Sequence, residues 1–268
     1  MAGKWRPVWS GFIVGSTMIV PGVSGGSMAM ILGIYDRLIS AVSSFRKKPK
    51  ENFMFLMLFA VSAVIGMFLF SFPLSWLLEH YKAPTIYFFV GAVLGGVPMI
   101  AEKAGVRHVD LEVIGYMLLG TICVLLISGI PVGKLSAEFR NEIGYVIFLV
   151  VIGIVAASAL ILPGISISHF LLVIGLYEQL MESFAKMDIS FFAPLGVGIL
   201  TGVFLITKGL EYLLNQYPKE SYLIILGFIL GSVVEILPGI SNGGTLVVCV
   251  LTAVAGFAAI YCLKLKLK

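Results

Sequence analysis

The stretch Ile19–Met30, IVPGVSGGSMAM, sets one proline, three glycines and two serines inside an apolar run, and ILPGISISHFLL repeats the pattern from Ile161. Proline removes a backbone donor and clashes with the preceding turn, so each stretch breaks a helix. The surroundings say what kind of helix is broken. Of the 268 residues 59% are hydrophobic and 12% charged, with a mean hydropathy of +1.07, where a soluble domain carries roughly 25% charged residues. The chain reads as an all-α polytopic membrane protein. Its apolar runs, such as FMFLMLFAVSAVIGMFLF from Phe53 and YVIFLVVIGIVAASALIL from Tyr145, are continuous rather than alternating, which excludes a transmembrane barrel. No stretch is polar and long enough for a separate soluble domain, so residues 1–268 form one membrane domain. The N-terminal MAGKWRPVWSGF lacks a small-residue cleavage site and is expected to stay as the first segment. Cys123, Cys249 and Cys262 lie in apolar runs without metal-ligand spacing and are read as packing residues. No cofactor, metal or nucleic acid is expected.

The chain is also read as a repeat. Shifted by 142 residues, PGVSGGSMAMILGIYDRLIS from Pro21 meets PGISISHFLLVIGLYEQLME from Pro163. Pro21, Gly22, Ser24, Gly33, Tyr35 and Leu38 fall on Pro163, Gly164, Ser166, Gly175, Tyr177 and Leu180, and Asp36 falls on Glu178. The match continues at a shift of 136, where LSWLLEHY meets LEYLLNQY and Gly91 and Gly95 meet Gly227 and Gly231. The halves are placed at 5–130 and 141–264, each with five segments. These are 8–20, 27–45, 53–79, 85–101 and 112–130, then 144–161, 168–185, 190–215, 221–237 and 244–263. An odd number of segments per half turns the second half upside down, an inverted-topology repeat of the kind found in secondary transporters. Short cytoplasmic loops collect Lys and Arg. With the N-terminus inside, one face receives Lys4, Arg6, Arg46, Lys47, Lys48, Lys50, Lys103, Arg107, Lys219, Lys264, Lys266 and Lys268, the other only Lys82, Lys134, Arg140 and Lys186. Both termini are therefore expected in the cytoplasm.

The 8–20 segment is about 20 Å long as helix, short of the roughly 30 Å hydrocarbon core. With Pro21–Gly22 ending it and Ser24 or Ser27 capping the next helix, the pair is expected to form a re-entrant hairpin, matched by one in the second half, each with three transmembrane helices behind it. Irregular backbone at that depth needs protein or a polar cavity around it. The free N–H groups after each break, with Gly22, Gly25, Gly26 and Gly164 admitting close approach, suit a phosphate or carboxylate. Ser24, Ser27, Ser166, Ser168 and His169 would line that site. The plainer alternative is that the Pro-Gly pairs only kink helices and the small residues only pack. Leu237 opens a third break, LPGISNGGTL, read as a turn. Asp36, Arg37, Glu178 and Glu182 lie within predicted segments, where charge is costly and marks a cavity or a proton path. Asp36 and Glu178 lie about 18 Å along a helix from their own tips, within reach of the opposite hairpin or available to carry coupling protons. The plainer alternative is that Arg37 pairs with Asp36 or snorkels to the inner surface, with Glu182 doing the same on the other face. Lys208, Glu211 and Glu235 are read as interfacial.

The paired PGVSGGSMAMILGIYDRLI and PGISISHFLLVIGLYEQL motifs resemble those of the bacterial polyprenyl-phosphate (undecaprenyl-phosphate) transporter family, and the resemblance covers essentially the whole chain. Ile167, Ser168 and His169 stand where the first half has Gly25, Gly26 and Ser27, a departure from the family's usually Gly-richer second motif. The resemblance implies a lipid flippase in the bacterial cytoplasmic membrane that returns undecaprenyl phosphate from the outer to the inner leaflet, with Gly22, Ser24, Gly25, Gly26, Ser27, Arg37, Gly164, Ser166, Ser168 and His169 at the phosphate and Asp36 and Glu178 in proton or sodium coupling. It implies no enzyme. Two alternatives stay open: a small-anion secondary transporter, and an undecaprenyl-pyrophosphate phosphatase, whose motifs are similar but which needs an Arg clamp that follows neither motif before Arg37.

Overall fold

The computed structural model describes residues 5–18, 20, 23–128, 142–165, 167–238 and 243–267, without the side chains of 128, 142, 167–169, 173, 184, 185, 243 and 263–267. They form α1 (Arg6–Thr17), α2 (Gly25–Ile31), α3 (Tyr35–Ser43), α4 (Pro49–His80), α5 (Lys82–Lys103), α6 (Leu111–Ser128), α7 (Glu142–Ile161), α8 (Ile167–Ile174), α9 (Tyr177–Lys186), α10 (Ile189–Gln216), α11 (Pro218–Ile236) and α12 (Gly243–Leu267). No strand occurs among the described residues. The third break, from Leu237, falls largely on residues 239–242, outside them.

Helix boundaries follow local chemistry. Pro7, Pro49 and Pro218 open α1, α4 and α11, where a missing N–H costs nothing. Asp110 and Asp188 cap α6 and α10 by accepting the amides of Val113 and Ser190, each at 2.9 Å. The segments 27–45 and 168–185, expected to be single helices, are each broken in two. Gly33 and Gly175 take φ of +66° and +82°, and each ends its helix in the same double turn. The Gly33 amide reaches the Met30 carbonyl at 3.0 Å and the Ile34 amide that of Ala29 at 3.0 Å; Gly175 and Leu176 reach Leu172 and Leu171 at 3.0 and 2.9 Å. A left-handed glycine with these two bonds satisfies the last carbonyls and stops the helix. The distance placed between Ser24 and Asp36 along one helix therefore does not apply.

The described helices long and apolar enough to cross a membrane are α4, α5, α7, α10 and α12; α6 is apolar but shorter. The arms leading to the two breaks are unequal. α1 has 12 residues and α7 has 20, so α7 is long enough to cross a membrane and α1 is not.

Four pairs of helices pack closely: α1 with α4, α7 with α10, α5 with α12 and α6 with α11. Each pair is parallel and crosses at glycines. A Cβ on Gly15 would fall 1.8 Å from the Ala63 carbonyl oxygen, on Gly91 1.9 Å from that of Ala253, on Gly198 2.2 Å from that of Val150, and on Gly227 2.1 Å from that of Met117. Small residues let helix backbones touch where lipid offers no hydrophobic drive to pair them. The spacing is visible in the sequence as Gly11/Gly15, Gly91/Gly95, Gly198/Gly202 and Gly227/Gly231. The main core lies between α2, α3, α5 and α11, with Met30, Ile100, Leu223 and Ile229 almost wholly enclosed. Cys249 is buried, Cys123 half-buried and Cys262 exposed, so the last does not pack inside the protein.

Candidate functional site

The two breaks meet. Ser24 has extended backbone and caps α2, its Oγ accepting the Ser27 amide at 3.1 Å. The same Oγ accepts the amide of Gly164 from the second break at 3.0 Å, and it lies 2.9 Å from the Ser27 Oγ. A hydroxyl has two acceptor positions and one proton. With both accepting positions taken by amides, Ser24 is the donor in the Ser24–Ser27 pair. Gly26 allows the contact: a Cβ there would lie 3.1 Å from the Ile161 carbonyl oxygen and 3.2 Å from Pro163. Gly164 sits at φ +89°, with its missing Cβ 2.4 Å from the Phe228 carbonyl oxygen, so the second break is pressed onto α11. Gly25 faces the Met18 side chain. Ser27 is 3% exposed.

Tyr35 adds a second tie. Its buried hydroxyl donates to the Ile161 carbonyl at 3.0 Å, in the last turn of α7, where carbonyls have no partner within the helix. The residue that reaches the opposite break is thus Tyr35 rather than its neighbour Asp36, the expected candidate.

Asp36 faces the other way. Its carboxylate pairs with Lys103 at the end of α5 and accepts the Tyr222 hydroxyl of α11 at 2.9 Å, while the Lys103 ammonium lies 5.3 Å from the Tyr222 ring centre. Arg37 pairs with Glu51 at 3.2 Å and stacks over Phe55 at 4.9 Å; it does not pair with Asp36. Ser43 donates to Glu211 at 2.5 Å, so Glu211, near the end of α10, bridges to α3. Arg6 donates to the Gly33 carbonyl at 3.2 Å, at the end of α2. Through these bonds α3 touches the start of α4, the end of α5, the end of α10 and the start of α11. Lys219 at the start of α11 pairs with Glu112 at the start of α6 at 2.8 Å.

The equivalent α9 is held differently. It packs mainly on α8 and α10. Gln179 donates to the Tyr145 hydroxyl at 2.5 Å, and Glu182 pairs with Lys186 of its own helix at 2.5 Å. Glu178 is exposed. Gly22 and Ser166 lie outside the described residues, and Ser168 and His169 are described only as backbone in the first turn of α8. Of the expected site residues with described side chains, Ser24, Gly26, Ser27 and Gly164 come together, with Gly25 beside them, Asp36 and Arg37 join a separate polar lattice, and Glu178 stands apart from both. The partners in that lattice, Lys103, Tyr222, Glu51 and Glu211, were not singled out for this in the sequence. Their only signal there was charge or hydroxyl near a segment end.

Apolar spanning helices around two broken helices that meet inside the bundle define a multi-pass membrane protein with an internal polar tie, the construction of a transporter rather than of a simple anchor. The chain belongs to the undecaprenyl phosphate translocase-like family, whose sequence pattern matches residues 14–248. It is 29% identical over 250 residues to the polyprenyl-phosphate transporter of Staphylococcus aureus, covering 88% of this chain and 87% of that one. It is 27% identical over 256 residues to the polyprenyl-phosphate transporter of Vibrio cholerae serotype O1, covering 89% and 80%. No solved structure matches the chain.

Proposed function

We propose that the protein is a flippase that carries polyprenyl phosphate, with undecaprenyl phosphate as its substrate, from the outer to the inner leaflet of the bacterial cytoplasmic membrane without chemical change. The observation that carries this reading is the Ser24–Gly164 bond between the two breaks, taken together with the family. A phosphate monoester needs N–H and O–H donors, and the Gly164 amide and the Ser24 and Ser27 hydroxyls are donors held at one point. In the conformation described these donors satisfy one another. Phosphate binding would part them, its oxygens taking the Gly164 amide in place of Ser24. Gly22, Gly25 and Gly26 would admit the headgroup to the backbone, and Ser166, Ser168 and His169 would complete the site from the second half.

Movement between leaflets requires the site to open to each side in turn. The inverted-repeat reading is supported by helix directions: α3 touches the start of α4 but the end of its counterpart α10, and the end of α5 but the start of its counterpart α11. On that reading, with both termini cytoplasmic, the lattice of Asp36, Arg37, Lys103, Tyr222 and Glu211 closes the cytoplasmic side. Glu178 stands at the equivalent place on the outer side. Proton or sodium coupling would act through Asp36 and Glu178.

The test is leaflet accessibility of fluorescent undecaprenyl phosphate in vesicles containing the purified protein, with and without a pH gradient. Protein-dependent exchange that undecaprenyl phosphate competes for, and water-soluble phosphate does not, is expected. No exchange by the folded protein would reject the flippase, and release of inorganic phosphate from a lipid pyrophosphate would replace transport with catalysis.

A further inference from the structure

A cavity of about 660 Å³ lies between α1, α4, α5 and α12. It borders the first break. Leu74 and Phe89, two of its wall residues, also pack with Val20 and Val23, and Thr17 in the last turn of α1 is part of the wall. From Phe70 it follows α4 to Tyr81 at the α4–α5 turn, roughly 16 Å at helical rise.

Its wall contains no charged residue, and its serine and threonine hydroxyls are engaged by backbone carbonyls. Ser16 donates to the Phe12 carbonyl at 2.8 Å, Thr17 to Val14 at 2.9 Å, Thr85 to Leu77 at 3.4 Å and Thr252 to Cys249 at 2.9 Å. Water needs two or more polar partners to occupy a cavity, and an apolar cavity takes an apolar guest. The volume is about four times the ~150 Å³ that holds one benzene ring, enough for several linked branched units and far too little for a whole polyprenyl chain.

We infer that this cavity is a chain-binding subsite, occupied by the phosphate-proximal isoprene units of a polyprenyl phosphate whose headgroup is at the Ser24–Gly164 contact. This rests on the function proposed above and adds a chain-recognition element to it. The two sites are neighbours, since Leu74 and Phe89 pack against the break and also line the cavity. An anionic headgroup at the break has its first isoprenes beside the cavity, while the remaining chain stays in the bilayer. Recognition then depends on prenyl shape as well as on phosphate.

The experiment fills the cavity. Val248 lines it from α12 and is 47% exposed, so Val248→Trp adds bulk with little strain, and Thr252→Phe is a second such change one turn further on. Val247→Trp, on a neighbouring surface position outside the wall, is the control. Each full-length protein is placed in vesicles and its transport of fluorescent undecaprenyl phosphate is competed with unlabelled undecaprenyl phosphate, with dodecyl phosphate, whose straight chain carries no isoprene branches, and with phosphatidic acid. Expected is about a tenfold weaker competition by undecaprenyl phosphate in both filled variants, weak competition by dodecyl phosphate and phosphatidic acid that the filled variants leave unchanged, and no effect of the control. Equal weakening of undecaprenyl and dodecyl phosphate, no weakening in either variant, or dodecyl phosphate or phosphatidic acid competing as well as undecaprenyl phosphate in the unsubstituted protein would each overturn the subsite. Absence of all transport in the unsubstituted protein would instead reject the proposed function itself, and the subsite with it.

Discussion

The Tyr35 hydroxyl, in the first half of the chain, donates to the Ile161 carbonyl, 126 residues away in the second, at 3.0 Å and out of contact with solvent. One side chain thereby caps the last turn of α7 and joins the two broken helices. The Ser24–Gly164 bond does the same from backbone to side chain. The halves are therefore tied at their breaks by directional bonds as well as by packing.

Tyr35→Phe keeps the ring and leaves a buried carbonyl without a donor, at a cost of about 1–3 kcal/mol. Thermal unfolding of the purified protein in detergent is expected to show a lower midpoint. An unchanged midpoint would mean that the Ile161 carbonyl finds another partner and that the tie is incidental.

Ser24→Ala removes the cap of α2, worth about 0.5–2 kcal/mol, and the acceptor of the Gly164 amide with it. Ser24→Thr retains the hydroxyl. Stability and lipid exchange are both expected to fall in Ser24→Ala and to be largely retained in Ser24→Thr. Equal loss in the two variants would point to shape at the break rather than to the hydroxyl.

Gly164→Ala has no accessible solution in the fold, because its φ of +89° disfavours any L side chain and its Cβ would sit 2.4 Å from the Phe228 carbonyl oxygen. Gly115, with nothing within 4 Å of an added Cβ, is the control. Size-exclusion chromatography is expected to show loss of the monodisperse Gly164→Ala protein and no change for Gly115→Ala. A well-behaved Gly164→Ala protein would contradict the close approach to α11.

Asp36, Lys103 and Tyr222 form one unit, so their substitutions should not add. A cycle of Asp36→Asn and Tyr222→Phe is expected to show a coupling of about 0.5–3 kcal/mol in unfolding free energy. The same variants should increase the reaction of a cysteine introduced at Ser27 with a membrane-impermeant thiol reagent added from the α3 side. Additive energies together with unchanged labelling would remove the lattice from the gating role proposed for it.

Much of this was legible from residue types. Membrane character, helical class and segment positions follow from apolar runs, because the length and continuity of such a run are properties of the chain alone. The breaks were visible as Pro-Gly-x-Ser, and family membership as their paired recurrence. The division of 27–45 and 168–185 was written in Gly33 and Gly175, two residues before Tyr35 and Tyr177, but residue type alone does not separate a glycine that turns left-handed and stops a helix from one that only packs inside it.

The sequence by itself determined which helices form, where they stop and which backbones can touch, since caps, prolines and glycines act within a few residues or by the room they leave. Only the tertiary structure decided what the breaks do to one another. Ser24 with Gly164, Tyr35 with Ile161 and Asp36 with Lys103 and Tyr222 are pairings across 67 to 186 residues. The packing of parallel helices at their glycines brings these groups within reach. The choice of Tyr35 over Asp36 for the opposite break came from the helical phase of α3, which turns adjacent residues to different neighbours.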